Sequence, residues 1–390
     1  MRGSILNVAD AAMQNNAIPD RISHRHTRTD TPGDKMIKVM TKLTLLLICA
    51  LLAGCVSVGP QLVNGSRTDY NVVLRQADDQ QMLLNLVRMR YRDRAMFLEL
   101  SALNTQFSIS SGVNANTELG QVDNLYGLGG SVVVEETPTV SYTPLQGADF
   151  VQRVLTPITL DTLFLLDTSG WSSERLFRLL VDEMNAVKNA RGANGPTPGF
   201  APDYQDFKRV AFLLRQLELE NLVSGVVYLN QPVLNFEPEA RDRAEYVELT
   251  RILGLDPDKL MFPVVVAARG GSADSINLRF RSFAGVMYFL SQSVQVPEED
   301  IAAGRVTVTE DATGQPFDWQ QVTHGLLTIK SSSKRPENAA VAVNYRNSWF
   351  YIDDSDLDSK STFTLLGQVF QLQAGNAKGA VPVLTIPVGN

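Results

Sequence analysis

The stretch Trp349-Phe350-Tyr351-Ile352-Asp353-Asp354-Ser355-Asp356-Leu357-Asp358 places four aspartates within six residues, dense enough to hold a hard cation. A calcium loop takes oxygens from positions 1, 3 and 5, glycine at 6 and a bidentate glutamate at 12. Counted from Asp354, position 6 is Ser359 and position 12 is Leu365, so the pattern fails twice. Helix capping accounts for the cluster better. Ser355 serves as N-cap, Asp358 stands at N3, and the acids sit at the positive end of a helix dipole. Gly270-Gly271-Ser272 invites comparison with a phosphate loop, but no Gly-Lys-Ser/Thr follows and a strand pattern comes next, so a turn is expected.

The cysteines carry the sharper signal. An apolar run from Leu43 to Ala53 follows Lys35, Lys38 and Lys42. At about 11 residues it fits the hydrophobic region of a secretory signal and falls short of the roughly 20 a spanning helix needs. The run ends Leu52-Ala53-Gly54-Cys55, which resembles the bacterial lipobox. That resemblance implies cleavage between Gly54 and Cys55, a diacylglycerol on the Cys55 thiol and an acyl group such as palmitate on the new amine. Val56, where Asp would favour inner-membrane retention, implies an outer-membrane lipid anchor with the body on the periplasmic face. Two or more acyl chains, at ~0.8 kcal/mol per buried methylene, make that anchoring stable. Residues 1–35 read as an upstream extension or disordered leader, 36–54 as the signal peptide; Met36 and Met40 both stand where translation could start.

Processing at Cys55 narrows the chemistry left to the body. Residues 1–54 hold seven Lys/Arg and four Asp/Glu, leaving 28 basic and 38 acidic residues, a net of −10. So acidic a chain is poorly matched to nucleic acid. Cys49 leaves with the signal and Cys55 is lipidated, so no disulfide or thiol nucleophile remains. His324 becomes the last histidine, which removes zinc sites built on paired His or Cys and leaves a Ser-His-Asp triad one candidate. Its setting, Gln320-Gln321-Val322-Thr323-His324-Gly325, has no nucleophile elbow and reads as surface or turn. The acids offer many pairs for a hydrolase, but no local pattern promotes one. No catalytic, metal or cofactor-binding residue is assigned.

The elements that position these residues follow. Residues 55–68 read as a lipidated tether. A helix begins with Asp69 as N-cap and ends in Arg88, Arg90, Arg92 and Arg94. These arginines complement the helix dipole, and near a bilayer they are candidates for lipid-phosphate contact.

From Leu103 to Leu119 apolar and polar residues alternate with period two over 17 residues, against 5–6 for ordinary strands. Gly120 to Gly130 connects to a second strand with Val132, Val134, Val140 and Tyr142 on one phase. One reading is an amphipathic hairpin lying on a soluble core. The other is a hairpin given to an oligomeric transmembrane barrel, whose strands need ~9–11 residues. The second resembles the plan of some secretion-system lipoproteins, though Glu136 and Pro138 fall on the apolar phase.

Beyond the hairpin, a turn is expected over 148–154 and a helix from Ser173 to Ala190, capped by Ser172 or Ser173. Residues 195–202, rich in Pro and Gly, read as a linker between 69–195 and 203–390 or as a long loop within one domain. Asp203 is expected to cap the next helix. A strand over Gly225–Leu229, a helix from Pro238 to Gly254 and a hairpin joining Val264–Ala268 to Ser275–Phe280 come after. A helix over Phe283–Gln292 follows, then paired strands Leu326–Ile329 and Ala340–Tyr345. A last helix runs to about Gln373, and the chain finishes with a strand, Val381 to Pro387. The class is α+β, mixed helices and antiparallel hairpins with a long N-terminal amphipathic β-hairpin. The expected role is non-enzymatic: a scaffold or accessory component of a cell-envelope assembly, with envelope proteins or further copies of itself as partners. A pore subunit and a cell-wall or polysaccharide hydrolase are the alternatives.

Overall fold

The computed structural model describes residues 36–37, 39–45, 58–118, 125–266 and 270–375, leaving aside the side chains of 58–67 and 104–138. The Gly54–Cys55 cleavage site and the expected strand over 381–387 lie outside the described residues. The fold is a mix of helices and largely antiparallel sheets, as the composition and patterning predict. Two units separate, Met1–Asn71 and Val72–Asn390. In the first, residues 36–37 and 39–45 are helical. Among the described residues no helix is long and apolar enough to cross a membrane.

Helix α1, Val58–Arg90, begins 11 residues ahead of the expected cap at Asp69, so residues 58–68 are helical backbone rather than an extended tether. Pro60 stands in its first turn, where a missing N–H costs nothing.

After α1, β1 (Leu98–Glu118) and β2 (Leu125–Pro144) form a two-stranded antiparallel ladder from Leu98↔Pro144 to Glu118↔Leu125, with one irregularity between Leu100 and Ala102. Its base is tied to α1 by two amide side chains. Gln81 exchanges both hydrogen bonds with the backbone of Leu98, at 2.8 and 3.1 Å, and Asn85 does the same with Met96, at 3.0 and 2.7 Å. The expected apolar and polar faces rest on side chains outside the described ones.

The main sheet has six strands in the order β4-β3-β8-β7-β6-β5. These are β3 (Val181–Met184), β4 (Val187–Lys188), β5 (Val223–Tyr228), β6 (Gln231–Phe236), β7 (Met261–Val266) and β8 (Ile276–Phe280). Because β3 and β4 precede residues 195–202 and share a sheet with strands that follow, that segment is a loop inside one unit and not a boundary between 69–195 and 203–390.

Helices α2 (Leu160–Thr168), α3 (Ser173–Leu180) and α4 (Gln205–Leu219) accompany this sheet. Ser172 caps α3, its side chain accepting from the Arg175 N–H. The helix expected from Ser173 to Ala190 stops at Leu180, where the chain turns into β3. There Arg281 donates from one nitrogen to the carbonyls of Arg178, Leu179 and Val181, each at 3.0 Å, and the Asn189 amide donates to those of Arg178 and Val181 at 2.8 and 2.7 Å. These are orphan carbonyls of a helix end, and a buried cation suits that end of the dipole. Tyr204, not Asp203, stands at the start of α4; Asp203 is occupied by Lys188 at 2.9 Å.

Strands β7 and β8 are neighbours as expected but run parallel, Val264↔Ile276 to Val266↔Leu278. Asn185 braces the arrangement. Its amide donates to the carbonyls of Leu253, Ser272 and Ser275 and accepts from the Asn277 N–H at 2.7 Å.

Helix α5 (Ala244–Leu253) ends at left-handed Gly254, and α6 (Phe283–Ser291) starts under the cap of Ser282. A second sheet, order β10-β11-β9, is built from β9 (Lys330–Ser332), β10 (Ala339–Tyr345) and β11 (Ser348–Asp353). The partner of β10 is β11, through the turn Arg346-Asn347 with both φ positive, rather than Leu326–Ile329, which is not a strand. Helix α7 (Leu357–Gly375) closes the described chain. Its first N–H groups are met by Asp356, whose carboxylate accepts from Ser359 N–H at 3.0 Å, so the cap is Asp356 and not Ser355.

Candidate functional site

An apolar cavity of about 100 Å³ lies between α2, α3, α4 and one face of the main sheet. Leu163, Phe164 and Leu176 form its helical walls, and Leu234, Val264 and Ile276 its sheet wall. The period-two alternation of the strands sends Leu234, Val264 and Ile276 to the same face, with Val264 paired to Ile276 and Leu234 to Phe262, two residues before Val264. Phe164 lies against Gly225 so closely that a Cβ there would sit 2.7 Å from its ring, which fixes why β5 carries glycine at that point.

Four polar residues line the same space: Asp167, Ser173, Glu218 and Ser224. Glu218 is already engaged. Ser173 donates to one of its oxygens, and Arg215 pairs with the other at 2.8 Å. Asp167, near the C-terminal end of α2, is different. Among the described residues no hydrogen-bond or ion-pair partner meets its carboxylate. Burial first, then the charge of Glu218, raises its pKa, against the pull of Arg215. Periodicity could not find this site, because the apolar run Leu163–Leu166 within α2 gives no amphipathic stripe to read.

A second feature is the opposite face of the same sheet. Val226, Val233 and Pro263 are cross-strand partners, Val233 being buried and reaching the cavity lining, and alternation sets Tyr228, Met261 and Val265 beside them. Val226, Tyr228, Met261 and Val265 are exposed. Leu229, 81% exposed, takes a left-handed φ of 47° at the β5–β6 turn, a costly conformation for a bulky side chain. Strand β5 is the sheet's edge and bears neither charge nor proline, the usual guards of an exposed edge.

The residues singled out from sequence scatter over the surface. The four arginines divide. Arg90 is buried, donating to Thr197 Oγ1 at 3.2 Å and to the Thr307 carbonyl at 3.1 Å, and so is withdrawn from any lipid-facing set: its charge is spent inside the fold. Arg92 is exposed and donates to the Thr197 carbonyl at 3.1 Å. Arg94 is exposed and Arg88 half-buried. Beside them, Tyr91 donates to Asp300, while Asp93 accepts from Tyr345 and from Arg346 at 2.9 Å, tying the end of α1 to the β10–β11 turn.

His324 is exposed at the end of a short helical turn, and its carbonyl accepts from Arg178 at 2.7 Å. The aspartate cluster disperses into local duties. Asp353 accepts from the Ser355 N–H and hydroxyl and pairs with Lys330. Asp354 pairs with Lys360 at 2.6 Å, and Asp358 with Arg175 at 2.7 Å. Among the described residues, no group of three or more His, Cys, Asp or Glu could hold a metal ion. Comparison of the chain with known families, with curated proteins and with solved structures finds no match in any of the three.

Proposed function

We propose that this chain is an outer-membrane-anchored lipoprotein whose body acts without catalysis, as a scaffold or accessory component of a cell-envelope assembly. The observation that carries the reading is the register of Lys35, Lys38 and Lys42, the apolar run and Leu52-Ala53-Gly54-Cys55. A body built to hold partners accords with the exposed apolar side chains Val226, Tyr228, Met261 and Val265 on β5–β7, since exposed apolar surface marks interaction sites. The test is metabolic labelling with palmitate, followed by membrane fractionation. Wild-type protein takes up label and sediments with the outer membrane, whereas Cys55→Ser does neither. Label-free wild-type protein would refute the anchor. Cross-linking from solubilised outer membrane, with Tyr228→Ser as control, then tests the scaffold: a partner retained equally by the variant counts against this face.

One observation favours a second reading, a subunit that lends its hairpin to a shared pore. Strands of 21 and 20 residues pair, among the described residues, only with each other, and an isolated two-stranded ladder is marginal in water. Such a ladder calls for a membrane, or neighbouring hairpins, to complete it. Detergent-extracted oligomers conducting ions across planar bilayers support this reading; monomers without conductance end it.

A further inference from the structure

We propose that the cavity between α2, α3, α4 and the main sheet is a binding site for a small single-chain amine, an alkyl or aryl body carrying one protonated nitrogen, with Asp167 as its counter-ion. The inference does not depend on how the chain is anchored.

Three observations select this class of ligand. The first is the wall. Leu163, Phe164, Leu234, Val264 and Ile276 offer an apolar body dispersion contacts and offer a sugar or nucleotide no hydrogen bonds, so a fully polar ligand would lose its hydration without return. The second is size. At ~10–15 Å³ of such space per water, a cavity of about 100 Å³ accepts a chain of roughly six to eight carbons. The third is charge. Glu218 is matched by Arg215 and Ser173, so the pair contributes little net field. Asp167 is left at the lining with no bonded donor among the described residues, under only the opposing pull of Arg215. A half-buried carboxylate without a donor attracts a ligand that brings one, and an ammonium satisfies both its charge and its lone pairs. A carboxylate-headed chain of the same length meets repulsion there instead.

The order of α2 also fits. Thr159 caps its N-terminus, Leu163 and Leu166 are buried, and Asp167 follows one turn after Leu163, placed by the helix at the rim of the same face.

The test uses the full chain carrying Cys55→Ser, which needs no detergent, titrated at neutral pH with n-octylamine, n-octanol and octanoate while methyl resonances are followed by NMR. Octylamine is expected to shift the methyls of Leu163, Leu234, Val264 and Ile276 and to bind at least tenfold tighter than octanol, with octanoate weakest. Asp167→Asn reduces octylamine to the level of octanol, whereas Asp161→Asn, at an exposed position of the same helix, changes nothing. Equal affinity for amine and alcohol, shifts confined to other methyls, or no binding of the amine overturns the proposal. The three-probe comparison on the parent chain decides even if Asp167→Asn does not fold.

Discussion

The guanidinium of Arg281 lies 4.1 Å from the ring centroid of Phe289, stacked on it in the interior of the protein. Only 1% of Arg281 is exposed. Beyond the three carbonyls that end α3, it donates to Asn194 Oδ1 at 2.7 Å and to the Asn189 carbonyl at 2.5 Å. Burial draws its pKa down to about 9, opposed by the charge of Asp182, so it is still a cation at neutral pH. One side chain therefore closes a helix, fixes the strand that follows and joins both to α6.

Replacing Arg281 should be among the costliest substitutions in the chain. Arg281→Met keeps the bulk but takes the guanidinium from the carbonyls of Leu179 and Asn189 and leaves those of Arg178 and Val181 with Asn189 alone, and breaking a buried charged network costs about 3–5 kcal/mol. Arg281→Lys retains the charge without the planar fork and recovers only part of the loss. Urea unfolding measures both. A midpoint unmoved by Arg281→Met would show that these hydrogen bonds carry no stability.

The same residue explains where sequence and structure part. Helical periodicity runs unbroken through Leu176, Leu179, Leu180 and Met184, and nothing local announces a stop at Leu180. The donors that meet the last carbonyls of α3 come from beyond the helix, Asn189 past the next strand and Arg281 a hundred residues downstream. Likewise, Gly270-Gly271-Ser272 reads as a hairpin turn, and the neighbours it joins are correct. The parallel pairing is braced by Asn185, which holds the backbone of Ser272, Ser275 and Asn277 from the β3–β4 turn. Where the deciding groups are local, the reading holds: Ser172 before α3, Gly254 after α5. The cavity was illegible because its polar member, Asp167, sits in an apolar run with no motif around it.

The helix α7 start gives a direct comparison of two candidate caps. Asp356 meets Ser359 N–H, while Ser355 turns back to Asp353. Asp356→Ala should cost about 1 kcal/mol, as N-cap losses do, and Ser355→Ala clearly less. Thermal melts of the two variants check this; the reverse order would return the cap to Ser355.

Asp353 supplies a pH dependence with a fixed sign. Its bonds from the Ser355 hydroxyl, Lys330 and the Ser355 N–H lower its pKa from the ordinary 3.8 to about 2. A carboxylate held lower in the folded chain contributes stability above its unfolded pKa and loses it as pH falls through the folded one. The melting-temperature gap between wild type and Asp353→Asn should therefore be full above pH 4 and close between about pH 4 and pH 2. A gap that persists at pH 2 would mean the asparagine acts through packing or hydrogen bonding and not through charge.

The arginines at the end of α1 separate stability from surface binding. Arg90 is the structural one. Arg90→Ala removes two hydrogen bonds from a charged donor, each worth about 1.5–3 kcal/mol, and should lower the urea midpoint with little effect on vesicles. Arg88 and Arg94 carry no hydrogen bond or ion pair among the described residues, and both keep some exposure. Near an anionic leaflet each basic side chain is worth about 1 kcal/mol. Arg88→Ala with Arg94→Ala should thus leave the midpoint in place and weaken co-sedimentation of the Cys55→Ser chain with anionic vesicles, an effect that salt screens. Vesicle binding that survives the double substitution, or that ignores ionic strength, would leave these arginines with the helix dipole as their only partner.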